Sequence, residues 1–182
     1  MLRIISGIYR SRKIEQPNTF STRPTMDRVR EAIFNSIRYD IKDKLVVDLF
    51  AGSGSMGFEA LSNGAMKVYF VDNNTEAIKT INRNKEILNV NNLTIYKSDA
   101  LDFLKHSIGK KFDYFFMDAP FKEYELINKC INYIYDNKLL SINGIIVVET
   151  DSLHNIILKD GLVLQKWKKY GKIYILFIAL NN

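Results

Sequence analysis

The stretch LVVDLFAGSGSMG, residues 45–57, decides how the chain folds. Its first six residues, LVVDLF, form a continuous apolar run of β type. A strand without polar alternation is buried on both faces, as in a parallel sheet covered by helices. A glycine-rich turn follows, and a helix is expected near residues 55–63. Gly52, Gly54 and Gly57 fit the spacing G-x-G-x-x-G. Glycines there let the backbone approach a ligand closely.

Outward from this stretch, strand and helix patterns alternate. KVYFVD (67–72) is a second strand, and Thr75 is the expected cap of a helix near 76–89. LTIYK (93–97) is a third strand, and SDALDFLKHS (98–107) suggests a short helix. FDYFFMD (112–118) is a fourth strand. Tyr124, Leu126, Ile127, Cys130, Ile131, Ile134 and Tyr135 make a helical stripe within 123–138. GIIVVET (144–150) is a fifth strand, and 162–180 reads as a hairpin around Tyr170-Gly171. Upstream, Pro24-Thr25 opens a helix with Met26, Val29, Ile33 and Ile37 on one stripe and Thr25 as its N-cap. Residues 1–20 read as irregular or as a short hairpin around Ser6-Gly7 or Ser11-Arg12. The pattern is α/β, a parallel sheet covered on both faces with an antiparallel edge.

The 182 residues suit one domain, and 47% hydrophobic residues suffice for one core. The expected division is a basic extension over 1–22 and a main domain over 23–182. No apolar run approaches the roughly 20 residues of a membrane span, and the N-terminus lacks the apolar core of a signal peptide. Cys130 is the only cysteine, which excludes a disulfide framework and a cysteine-rich zinc site. His106 and His154 do not rescue a metal reading. A cytoplasmic protein without metal or membrane contact, acting as a monomer, is the expectation.

Charge is uneven. Residues 1–38 hold seven of the eight arginines plus Lys13 against three acids, a balance of +5 out of a net +6. Arginine forks suit phosphates, so a nucleic acid is the expected partner. Arg10, Arg12, Lys13, Arg23, Arg28 and Arg30 are the expected contacts.

Ligands of such sheets sit at the carboxyl ends of the strands. Those ends carry Asp48, Asp72, Asp99, Asp118 and Glu149. Asp72 lies 20 residues after Gly52, where an acid that binds ribose hydroxyls is expected. This much allows NAD as well as S-adenosylmethionine. Three details favour the second. Asp48 would repel a pyrophosphate but suits an ammonium and a sulfonium. Asp99 can accept from an adenine amino group. Asp118-Ala119-Pro120-Phe121 has no role in hydride transfer.

Four stretches together resemble the RsmD family of bacterial 16S rRNA (guanine-N2)-methyltransferases. They are RPTMDRVREAIFNSI (23–37), VVDLFAGSGSMGFEALSNGA (46–65), VYFVDNN (68–74) and FDYFFMDAPF (112–121). The first block, combined with the tetrapeptide at 118–121, is the specific part. The resemblance implies a Rossmann-like class I methyltransferase fold. Its seven-stranded, mostly parallel sheet has the order 3-2-1-4-5-7-6, with the last strand antiparallel. It implies S-adenosyl-L-methionine as methyl donor and a guanine of 16S rRNA as acceptor, within an assembled or partly assembled 30S particle. By motif position, Asp48, Gly52 and Gly54 cradle the methionine part, with Ala51 and Ser53 in the same loop. Asp72 and its neighbour Asn73 serve the ribose, and Asp99 and Ala100 the adenine. Asp118, Ala119, Pro120 and Phe121 hold the target base. Arg23 and Thr25 close the cofactor pocket or meet the RNA.

The exocyclic amine of guanine is a poor nucleophile and needs acceptors for its N–H bonds. Asp118 supplies one, and a carbonyl of Ala119 or Pro120 another. Pro120 stiffens the loop. Phe121 offers a stacking face to a base splayed or flipped out of its helix. Ala119 stands where the family has proline, and it keeps the carbonyl while losing ring rigidity. Competing readings are an adenine-N6 or other nucleic-acid amino-methyltransferase, a non-catalytic RNA-binding protein on the same scaffold, and an NAD enzyme.

Overall fold

The structure, a computed structural model, describes residues 1–17, 24–119 and 122–181, with the backbone alone for 24–26. Arg23, Pro120 and Phe121 therefore lie outside the described residues, as does the side chain of Thr25.

The chain runs β1 (Leu2–Arg3), β2 (Lys13–Ile14), α1 (Pro24–Ile37), β3 (Leu45–Asp48), α2 (Ser55–Ser62), β4 (Lys67–Asp72), α3 (Thr75–Leu88) and β5 (Leu93–Lys97). It continues with α4 (Ala100–Lys105), β6 (Phe112–Met117), α5 (Tyr124–Asp136), β7 (Leu140–Thr150), β8 (Leu162–Tyr170) and β9 (Ile173–Leu180). Seven strands form one sheet in the order β5-β4-β3-β6-β7-β9-β8. Counted from β3, this is the expected 3-2-1-4-5-7-6. β9 is antiparallel to both of its neighbours, and the pairs from β5 to β7 are parallel.

The apolar strands divide their side chains between two cores because successive residues point to opposite faces. In β6, Tyr114 and Phe116 face one core, and Phe115 and Met117 the other. Val46 and Val47 of β3 divide in the same way. The first core is closed by α1, α2 and α3 through Ile33, Phe34, Phe58 and Ile81. The second is closed by α4 and α5 through Phe103, Leu104, Ile127 and Ile131. The result is three layers with the sheet in the middle.

Three local expectations are corrected. The α1 helix begins at Pro24, so Thr25 lies within its first turn and is not its N-cap; proline is at home there because a first-turn N–H has no partner to lose. The cap of α3 is Asn74, not Thr75: its side chain accepts from the amides of Glu76 (2.8 Å) and Ala77 (3.3 Å). β7 begins at Leu140, four residues early, with an irregular register opposite Phe112–Tyr114.

The N-terminal segment is built into the domain. β1 pairs with β2 antiparallel as the expected short hairpin, and its broad connecting loop contains both Ser6-Gly7 and Ser11-Arg12. Leu2, Ile4 and Ile14 are buried in the first core. Glu59 of α2 is fully buried and accepts from the amides of Ile5 and Ser6 and from the Ser6 hydroxyl. Its cation is Arg30, 3.7 Å away and itself buried, which also donates to the Arg3 carbonyl (2.8 Å) and to Asp27 (3.0 Å). Burial pushes the Arg30 pKa down and the Glu59 pKa up, and their mutual attraction opposes both shifts. Arg30 is thus a strut between α1, α2 and the N-terminus. It is not the RNA contact that the sequence suggests, because its charge is spent inside the protein.

Removing one partner of a buried pair strands the other charge, so Glu59→Ala is expected to destabilise the fold by about 3–5 kcal/mol. Glu15→Ala, which removes the exposed partner of Arg83, is expected to cost at most about 1 kcal/mol. Urea denaturation of the two variants checks the contrast, and equal midpoints would contradict it.

Candidate active site

The carboxyl ends of β3, β4, β5, β6 and β7 lie along one edge of the sheet, since these strands are parallel neighbours. The glycine loop starts at the end of β3. Gly52 and Gly54 both take left-handed backbone, with φ of 54° and 78°. Side chains rarely adopt this, and at Gly54 a Cβ would also sit 2.8 Å from the Phe58 ring. A Cβ on Gly57 would meet Phe70 at 2.2 Å, so that glycine lets α2 lie close on β4.

Aspartates hold the loop in place. Asp48, only 3% exposed, accepts from the Gly57 amide at 2.9 Å and ties β3 to the first turn of α2. Asp72 accepts from Gly52 N (2.8 Å) with one carboxylate oxygen and from Asn74 N (2.8 Å) with the other. Each oxygen keeps a lone pair for a further donor. Asn73 donates to Asp99 at 2.8 Å, joining the ends of β4 and β5. Ala51 and Ala100 are buried beneath these groups, and Asn73 and Asp99 are exposed.

Asn84 of α3 lies outside the motifs that the sequence displays. It is fully buried, accepts from Glu15 N (2.7 Å), and donates to the carbonyls of Glu15 and Ser53 at 3.0 Å each. It fixes the glycine loop to the N-terminal segment. Its signal is visible in retrospect: it interrupts the buried stripe Ala77, Ile81, Asn84, Leu88 of α3. A polar residue on such a stripe must have partners.

At the end of β6, Asp118 opens to solvent while Ala119 is buried. They share a recess with Glu149 and Thr150 at the end of β7 and with Tyr124 and Ile127 of α5. Tyr124 is pinned by donating its hydroxyl to Asp151. Glu149, which the sequence marks only as a strand end, lines the same recess as Asp118. Desolvation, and then the Asp118 charge, push its pKa up.

Among the described residues, Asp48, Asp72, Asp99, Asp118 and Glu149 form no ion pair, although other acids of the chain do. The edge is therefore a field of uncompensated carboxyl groups. Desolvation raises the Asp48 pKa to about 7, the Gly57 hydrogen bond opposes this, and the charges of Asp118 and Asp72 add to it. Such a set of acceptors suits a cationic ligand bearing hydroxyls and does not suit a pyrophosphate.

Arg10, Lys13 and Arg28 are exposed. Arg12 is exposed but donates to the carbonyls of Ile87 and Leu88 at the C-terminus of α3, where a cation is favoured. No helix among the described residues is long and apolar enough to cross a membrane.

Comparison with known proteins agrees with this arrangement. A ribosomal RNA small subunit methyltransferase D of Haemophilus influenzae is 36% identical over 173 residues, covering 93% of this chain and 89% of the relative. A putative rRNA methyltransferase of Bacillus subtilis is 38% identical over 154 residues, covering 82% and 83%. The structure of a putative methyltransferase from Escherichia coli superposes with a TM-score of 0.88 at 31% identity, covering 98% and 97% of the two chains. The family described as conserved hypothetical protein 95 matches residues 2–179. With the sheet order and the glycine loop in agreement, the chain belongs to that family, the RsmD family, and has the fold of class I methyltransferases.

Proposed function

We propose that this protein is an S-adenosylmethionine-dependent rRNA methyltransferase that modifies the exocyclic N2 of a guanine in 16S rRNA. The observation that carries the reading is the adjacency of two ends. Asp48 pairs in register with Phe116 on the neighbouring strand, so Asp118 stands two residues beyond the strand end that opens the glycine loop. A donor held at the loop and an acceptor held at Asp118 are then one strand apart, roughly 5 Å laterally.

S-adenosylmethionine supplies an electrophilic methyl on a sulfonium when bound. The residues of this chain that would hold it are Asp48, Ala51, Gly52, Ser53 and Gly54 around the methionine part. Asp72 and Asn73 would serve the ribose, and Asp99 and Ala100 the adenine. The unpaired carboxyl groups fit its two positive centres. Arg23 and Thr25 belong to this pocket or to the RNA contact.

The acceptor amine is oriented by Asp118, which accepts from the guanine N1–H and N2–H edge. That edge is all donors, so a carboxylate suits it better than an amide does. The Ala119 carbonyl offers a second acceptor, and an alanine there keeps it. Pro120 and Phe121 would stiffen the loop and stack on the base, a contact worth about 1–3 kcal/mol. Positioning of amine against methyl is the main contribution asked of these residues. Arg10, Lys13 and Arg28 would meet RNA phosphates.

Small ribosomal subunits lacking the modification, incubated with labelled S-adenosylmethionine, are expected to take the label on a guanine N2. Label on adenine, or no label with cofactor binding confirmed, would overturn the reading. Asp118→Ala is expected to lower the transfer rate by roughly 100-fold or more while cofactor affinity by calorimetry stays nearly unchanged; loss of binding would make the residue structural.

The raised Asp48 pKa gives a sign. A bound cation favours the ionised carboxylate, so the pKa falls on binding and a proton is released. Cofactor affinity is therefore expected to rise with pH toward and through about 7. Calorimetry in buffers of different ionisation enthalpy measures the released proton. A flat affinity across that range, or the same slope in Asp48→Asn, would refute the assignment.

A further inference from the structure

β8 is the outer strand of the sheet, and its end has an unusual composition. Residues 166–172 read KWKKYGK, with four lysines and no acid. Trp167, the only tryptophan of the chain, is 51% exposed. Its ring lies 6.0 Å from that of Tyr174 on β9, and the Lys169 ammonium sits 4.9 Å above the same Tyr174 ring. Lys168 turns to the other face and donates to Ser36 of α1 at 2.7 Å, anchoring the strand.

The register places this cluster beside the candidate active site. Glu149 pairs with Ile175, which pairs with Lys168. Thr150 pairs with Tyr174, which pairs with Lys169. Lys169 is thus two strands from the recess edge, roughly 10 Å. The turn at Gly171 and Lys172 continues past that same carboxyl edge, and Lys172 is exposed. This cluster lies far along the chain from the basic block of residues 1–38, where the sequence places the expected RNA contacts.

Lysines on an edge strand also prevent edge-to-edge pairing of sheets. That role does not call for an exposed tryptophan held against a tyrosine. Cations interleaved with an open aromatic surface match single-stranded nucleic acid, whose phosphates and base faces alternate. The acidic recess next to them repels phosphate, so a strand entering it needs a compensating cation at its rim.

We propose that the tip of the β8–β9 hairpin, with Trp167, Lys169, Lys172 and Tyr174, is a second RNA-binding surface that grips the single strand flanking the target base. Trp167 stacks on a base, and Lys169 and Lys172 meet phosphates. The inference rests on the rRNA reading above.

A short fluorescein-labelled single-stranded oligoribonucleotide, titrated into the full-length protein at low salt, tests it. Binding is expected to quench the emission of Trp167. The double variant Lys169→Glu/Lys172→Glu is expected to bind roughly tenfold more weakly by anisotropy and to show a shallower salt dependence, with an unchanged thermal midpoint. RNA bound with unchanged tryptophan emission, or full affinity in the double variant, would overturn the hairpin surface alone. Equal quenching by polyaspartate would make the hairpin a docking face for acidic protein and would likewise overturn it. Absence of any RNA binding would remove the rRNA reading together with it.

Discussion

The hydrogen bond from the Gly57 amide to the buried carboxylate of Asp48 is the constraint on which the site depends. It closes the turn between β3 and α2 from inside. Within the closed turn Gly52 and Gly54 take left-handed backbone, and nothing lies within 4 Å of where a Gly52 side chain would begin. A buried carboxylate with one amide partner and no cation is costly, and its raised pKa records that cost. Fold and ligand site are linked through this one group, because a bound cation would supply the missing partner.

Asp72 and Asn84 extend the same logic. Asp72 joins the loop to the start of α3 by taking one amide from each. Asn84 joins it to the N-terminal segment through Glu15 and Ser53. The loop is thus held from three sides by polar side chains, and only part of its main-chain hydrogen bonding comes from regular structure. Buried polar networks of this kind favour one geometry because every member must be satisfied at once.

The N-terminal segment shows how the same residue type divides into two roles. Arg30 and Arg10 belong to one basic block in the sequence. Arg30 is held against Glu59 inside the protein, and Arg10 is free to face solvent. Local pattern does not mark the role of Arg30, because its partner Glu59 is 29 positions away in the sequence. The lysines of β8 show the converse. They are scattered along a strand that reads as an ordinary edge, and only sheet register brings them to the rim of the recess.

The sequence by itself determined the strand and helix alternation, the glycine loop and the aspartates at the strand ends, since these follow from local periodicity and backbone freedom. Through the motif blocks at 23–37 and 112–121 it also determined the family and hence the strand order. It left the caps of α1 and α3, the start of β7 and the shape of the N-terminal loop approximate, because each is set by partners that local pattern does not name. Tertiary structure alone decided that Asp48 turns inward, that Arg30 is a strut, that Asn84 braces the glycine loop, and that Glu149 and the lysine-rich hairpin adjoin Asp118. Those are pairings across long sequence separation, and their energies depend on burial and distance, which appear only when the sheet has brought the residues together.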